Sequence, residues 1–138
     1  GNMLWAFGKM DISLEETGFY SDAIQESIEK VGQFPPQALA NVVWACARVQ
    51  APAFELYSVV ADAAAPQAAS LSPQDISNLS WGFATAQHPA PALTRALARA
   101  TLAKLDGFQP KHIANVAWAF SRMEVGPGEV WDRLAQAA

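Results

Sequence analysis

A chain of 138 residues has room for one domain whose core buries roughly two-thirds of the unfolded surface. At 51% apolar and 16% charged it is too apolar for a disordered tail and too poor in charge for a coiled coil, and no apolar run approaches the about 18 residues of a membrane span. One cysteine, Cys46, excludes an internal disulfide and a Cys-rich zinc site; two histidines, His88 and His112, are too few for a His-built metal centre without several acidic partners; and a net charge of −4 argues against coating nucleic acid by bulk charge.

The charge is uneven. Residues 1–62 hold eight acids and three bases, residues 63–138 five acids and six bases, so a surface for a polyanion would be local and toward the C-terminal half. The chain opens Gly1-Asn2-Met3-Leu4-Trp5, without an initiator Met or a signal-like region, and reads as part of a longer polypeptide.

Internal repetition dominates the sequence. A fragment, Asn2-Met3-Leu4-Trp5-Ala6-Phe7-Gly8-Lys9, is followed by a connection over Asp11 to Gly18 and a helix from about Tyr20 to Val31, with Tyr20, Ala23 and Ile28 inward. Three fuller copies begin at Phe34, Leu71 and Phe108, 37 residues apart, and four of the five tryptophans (Trp5, Trp44, Trp81, Trp118) occupy the same place in them. Each copy reads as two helices. Pro36, Pro73 and Pro110 mark the start of the first, with Ser72 as an N-cap; it runs about 13 residues toward Gln50, Gln87 and Glu124. Breaks at Ala51-Pro52, His88-Pro89 and Gly126-Pro127 precede the second helix, where Leu56, Leu93 and Val130 align, as do Tyr57, Thr94 and Trp131, and Val60, Leu97 and Leu134. Ala-rich stretches favour helix, and no strand pattern competes.

A single helix pair cannot bury its apolar surface, whereas stacked pairs bury a continuous core. The expected fold is all-α: one α-solenoid segment over residues 1–138, of right-handed superhelical form. Its repeats are approximately 1–33 (truncated), 34–70, 71–107 and 108–138 (truncated). Neither end offers an obvious polar cap.

Enzyme chemistry finds no footing: there is no Gly-rich phosphate loop, no nucleophile elbow and no HExxH. Cys46 stands where other copies have Phe7, Phe83 and Phe120, which marks it as core filler, and Glu15-Glu16 reads as a solvated loop pair. The informative feature is one polar line on the first helix. With Gln37 at 0° and about 100° per residue, Asn41 falls near 40°, Arg48 near 20° and Trp44 near 340°, while Leu39, Val43 and Cys46 lie near 180–240°. The line recurs as Gln74, Asn78 and Thr85, as Lys111, Asn115 and Arg122, and as Asn2 and Lys9. Stacked at a spacing of about 8–10 Å, these lines would form a polar track.

The track has two readings. In one, Lys9, Arg48 and Arg122 meet phosphates. Gln37, Asn41, Gln74, Asn78, Lys111 and Asn115, together with the variable positions Ala38, Asp75 and His112, then meet the splayed bases of single-stranded RNA. In the other, the asparagines form a buried hydrogen-bonding ladder, the tryptophans pack between repeats and the arginines cap helix C-termini. Arg95, Arg99 and Lys104 form a second basic cluster that reads as a solvated face.

The run Pro-Gln-x-Leu/Ile-x-Asn-x-x-Trp-Ala-Phe/Cys-x-Arg, with a Pro-containing opening to the second helix, resembles the octotricopeptide repeat family and is similar to the related 37-residue heptatricopeptide repeats. The match covers the copies at Phe34, Leu71 and Phe108 and the fragment at Asn2. The family's second motif, a Pro-Pro-Pro-Glu-Trp-Leu-like run, is degenerate at Pro52-Ala53-Phe54-Glu55-Leu56, at Pro89-Ala90-Pro91-Ala92-Leu93 and at Gly126–Trp131. The resemblance implies a non-catalytic RNA-binding protein of mitochondria or chloroplasts, acting in transcript stabilisation, processing, splicing or translation, or holding RNA within an organellar ribosome. The expected partners are single-stranded or ribosomal RNA and other proteins of a ribonucleoprotein. No cofactor, metal, small-molecule substrate or membrane span is expected. The alternative is a scaffold whose concave face holds a partner protein, which the acidic balance favours.

Overall fold

The computed structural model describes residues 17–123 and 128–137, with side chains over 21–123 and 131–136. Among these residues the chain is all helical. The α-helices are α1 (Thr17–Lys30), α2 (Pro36–Arg48), α3 (Phe54–Ala64), α4 (Pro73–Ala86), α5 (Pro91–Lys104), α6 (Pro110–Arg122) and α7 (Gly128–Ala137); 3₁₀ turns at Val31–Gln33, Ala65–Ser70 and Leu105–Gly107 lead into α2, α4 and α6. Helix α1 starts at Thr17, ahead of the expected Tyr20. The fragment Asn2–Lys9 and the break at Gly126-Pro127 lie outside the described residues.

Local chemistry accounts for the helix starts. Pro36, Pro73 and Pro110 each take the first helical turn, where the missing N–H costs nothing, and the residue before each is extended, with ψ of 161°, 163° and 163°. At α4 a capping box completes the start. Ser72 Oγ accepts from the Asp75 N–H at 3.1 Å, and the Asp75 carboxylate accepts from the Ser72 N–H at 3.4 Å.

Helices α2 and α4 are closed by left-handed residues. Gln50 (φ 56°) and Gln87 (φ 55°) hold the same place in successive copies. The Gln50 N–H donates to Ala47 O and the Ala51 N–H to Cys46 O; the Gln87 N–H donates to Ala84 O and the His88 N–H to Phe83 O. This is the Schellman pairing, in which glycine is the favoured left-handed residue. Replacing Gln50 or Gln87 by Gly should therefore raise stability by about 0.5–1 kcal/mol each, read as a higher urea midpoint at constant slope.

Helices two apart along the chain pack on each other. Helix α2 packs on α4 and α4 on α6, while α1 packs on α3, α3 on α5 and α5 on α7. Sequential neighbours α2 and α3, α4 and α5, and α6 and α7 also touch. Leu39, Val43, Leu56, Val60, Ile76, Leu79, Phe83, Leu93, Leu97 and Phe120 are buried in one continuous core. A helix with a neighbour on each side must be apolar around most of its circumference, which explains why α4, between α2 and α6, keeps only a narrow polar line. At the α4–α5 turn the His88 ring stacks on Tyr57 at 5.6 Å, lies edge-on to Phe83 at 5.8 Å and meets Phe54 at 4.7 Å. It closes the Schellman turn with the apolar contact such turns favour.

Candidate functional site

Three helices of this core carry the polar line, and the line sits on the face they leave uncovered. Gln37 and Arg48 on α2 are exposed and Asn41 is half-buried; on α4 Gln74 is exposed and Asn78 half-buried; on α6 Lys111, Asn115 and Arg122 are exposed. Lys9 lies outside the described residues. The tryptophans belong to this face. Trp44 and Trp81 are half-buried and Trp118 is 43% exposed, so they are not sealed between helices as packing residues would be.

At the C-terminal ends of α2 and α6 the same pair recurs. The Arg48 guanidinium lies 5.2 Å from the Trp44 ring centroid and that of Arg122 lies 5.6 Å from Trp118. The four-residue spacing puts each cation over the ring one turn back, where the negative π-face holds it. Helix α4 interrupts the pattern: Trp81 is followed by Thr85, whose hydroxyl is buried with no partner among the described residues. Between α2 and α4 the line opens into a shallow cavity of about 200 Å³, walled by Asn41, Trp44 and Ala45 on one side and Gln74 and Asn78 on the other.

Asn78 and Asn115 bond to residues of other kinds. Asn78 Oδ1 accepts from Gln74 Nε2 at 2.9 Å, one turn away on α4. Asn115 Nδ2 donates to Ser77 Oγ at 3.2 Å and so ties α6 to α4. A second tie runs from His112 Nε2 to Gln74 Oε1 at 3.1 Å.

His112 does not occupy the position expected of a base-reading side chain. It is buried, and its Nδ1 accepts from the Gln109 N–H at 3.1 Å, which makes it the capping residue of α6. Asp75 plays that part in α4. Both stand at the third helical position, where a side-chain acceptor can reach back to the free N–H at the helix start. The signal was present in the Ser72-x-x-Asp75 spacing.

Burial, and then the neighbouring Lys111 charge, hold the His112 pKa below 6.5, and burial lowers that of His88. A histidine depressed on folding binds fewer protons folded than unfolded. Its contribution is present above about pH 6.5 and is lost as pH falls through the folded value. Urea midpoints should fall from pH 7.5 to pH 5. In His112→Gln, which keeps a capping acceptor and cannot titrate, the fall should be smaller; an equal fall would mean that His112 does not carry it.

Two further features escaped sequence reasoning. Lys104, placed with Arg95 and Arg99 on a solvated face, donates through Nζ to the Leu71 carbonyl oxygen and fastens α5 to the turn before α4. Arg95 reaches a larger cavity of about 870 Å³, whose lining also includes Arg122, Met123, Thr94 and His88. Neither follows from spacing within one helix, since each depends on how far one helix pair is displaced from the next. Cys46 is fully buried, and burial pushes its thiol up to about 12, so it is no nucleophile at neutral pH. Among the described residues no group of three or more His, Cys, Asp or Glu could hold a metal, and no helix is long and apolar enough to cross a membrane.

No protein-family model matches the chain, and no curated protein matches it.

Proposed function

We propose that the chain is a segment of a non-catalytic RNA-binding α-solenoid, similar to octotricopeptide and heptatricopeptide repeat proteins, working in a mitochondrion or chloroplast as part of a ribonucleoprotein. In this reading the helix pairs α2–α3, α4–α5 and α6–α7 are successive repeats of about 37 residues. Their uncovered faces form the track along which single-stranded or ribosomal RNA lies. The organelle follows from the resemblance alone.

The observation that carries the reading is the recurrence of an exposed arginine over an accessible tryptophan, Arg48 on Trp44 and Arg122 on Trp118, on the face that also carries Asn41, Gln74 and Asn78. A cation beside an aromatic ring is the pair single-stranded nucleic acid needs. The guanidinium meets a phosphate, and the ring offers a stacking surface that tolerates any base. Exposed Gln37, Lys111 and Asn115 extend the polar surface on either side. Helices α2 and α6 carry no Asp or Glu, and Asp75 is the one acid on α4.

The reading is tested by fluorescence polarisation with a labelled single-stranded RNA over a salt series. Arg48→Ala with Arg122→Ala should weaken binding about tenfold and flatten the slope of log K against log salt by about 1.4, two phosphate contacts being removed. Unchanged affinity and slope would take both arginines out of the site. The second reading, a protein scaffold, is favoured by Phe54, which is 75% exposed, and by the charge of −4. Purification with one stable protein partner and no RNA would decide for it.

A further inference from the structure

The hydrogen bonds that tie α6 to α4 have a direction, and the direction reaches the small cavity. The chain of bonds starts at a backbone N–H, which can only donate. Because the Gln109 N–H donates to His112 Nδ1, that nitrogen carries no proton and the ring is the Nε2–H tautomer. His112 Nε2–H therefore donates to Gln74, which fixes the accepting atom as Oε1 and turns Gln74 Nε2 toward Asn78. Asn78 receives that bond on Oδ1. Its Nδ2 is left as the free end, without a partner among the described residues, at the wall of the cavity shared with Asn41 and Trp44. Asn41 is half-buried and its amide also has no partner among the described residues, so it can turn either way.

We propose, on the premise that the chain binds RNA, that this cavity is a base-selective pocket for uracil. At about 200 Å³ it is smaller than the about 300–1,000 Å³ of sites for drug-sized ligands, and it is flanked by an indole ring. Asn78 Nδ2 donates to the O4 carbonyl, and Asn41 Oδ1 accepts from N3–H. Cytosine has the same ring size but carries an amino group at that carbonyl's place. Asn41 can turn to donate to its N3; Asn78 cannot turn to accept from its N4, because its oxygen is engaged toward Gln74. Selectivity thus rests on Asn78 and, through it, on Gln74 and His112 as positioning residues.

The test compares oligo(U) with oligo(C) of one length at one salt concentration by polarisation. The wild type should prefer oligo(U) about fivefold, the usual scale for one buried donor–acceptor mismatch. Asn78→Asp keeps the acceptor for Gln74 and replaces the free N–H end by an oxygen. Its added charge acts on both oligomers alike, so the ratio should reverse toward oligo(C). Gln74→Glu still accepts from His112, but the oxygen that replaces Nε2 now accepts from Asn78 Nδ2, which turns Asn78 Oδ1 to the pocket and should shift the ratio toward oligo(C). Equal affinity of the wild type for both oligomers, or an unchanged preference for oligo(U) in Asn78→Asp, overturns the pocket and leaves RNA binding standing. Failure to bind either oligomer at low salt overturns both.

Discussion

Gly82→Leu is expected to abolish cooperative folding, and Gly82→Ala to destabilise the chain by about 1–2 kcal/mol although Ala is the better helix former by about 1 kcal/mol. Helix α4 passes so close to α2 at this point that a Cβ on Gly82 would stand 2.4 Å from Val43 Cγ1 and 3.4 Å from the Val43 carbonyl carbon and oxygen. Val43 is fully buried in a helix, where a β-branched side chain has essentially one rotamer, so it cannot swing aside. The two helices would have to separate and give up close packing along their length. A double-mutant cycle checks the cause. In a Val43→Ala background the obstructing methyl is gone, and Gly82→Ala should become neutral or stabilising. Additive effects, measured by urea unfolding, would show that this contact does not set the approach of α2 and α4.

Phe83→Ala should cost about 3–5 kcal/mol, with the midpoint lowered and the denaturant slope unchanged. Phe83 is 1% exposed, meets Tyr57 edge-on at 5.4 Å and carries the His88 ring that closes the α4–α5 turn. Removing it opens a cavity between three elements and takes away the apolar half of a Schellman turn. Phe54 provides the control. It touches the same His88 from outside but is 75% exposed, and Phe54→Ala should change stability by less than about 0.5 kcal/mol. Comparable losses at the two positions would mean that the cluster does not face the core in the sense described.

The helix pairs were legible residue by residue. Pro36, Pro73 and Pro110 begin helices because a fixed φ and a missing N–H suit only the first turn, and that requirement is local. Leu56, Leu93, Val60, Leu97 and Leu134, aligned across copies, are all buried. Arg48 and Arg122, placed on an exposed line by helical periodicity, are exposed. The start of α1 at Thr17 was not legible, since Gly18 lowers helix propensity and the pattern there has no proline or cap to mark it.

Composition and periodicity alone determined that the chain is helical, where most of its helices start and stop, and which arc of each is apolar, because these depend on dihedral preference and on the 100° step between neighbours. Tertiary structure decided which polar residues are free to meet another molecule. His112 and Lys104 looked as available as Arg122, yet one caps α6 and bonds to Gln74, and the other is bound to the Leu71 carbonyl. The bonds to Gln74 and Leu71 turn on the sideways offset between helix pairs, set by contacts such as Gly82 against Val43, between residues far apart in the chain.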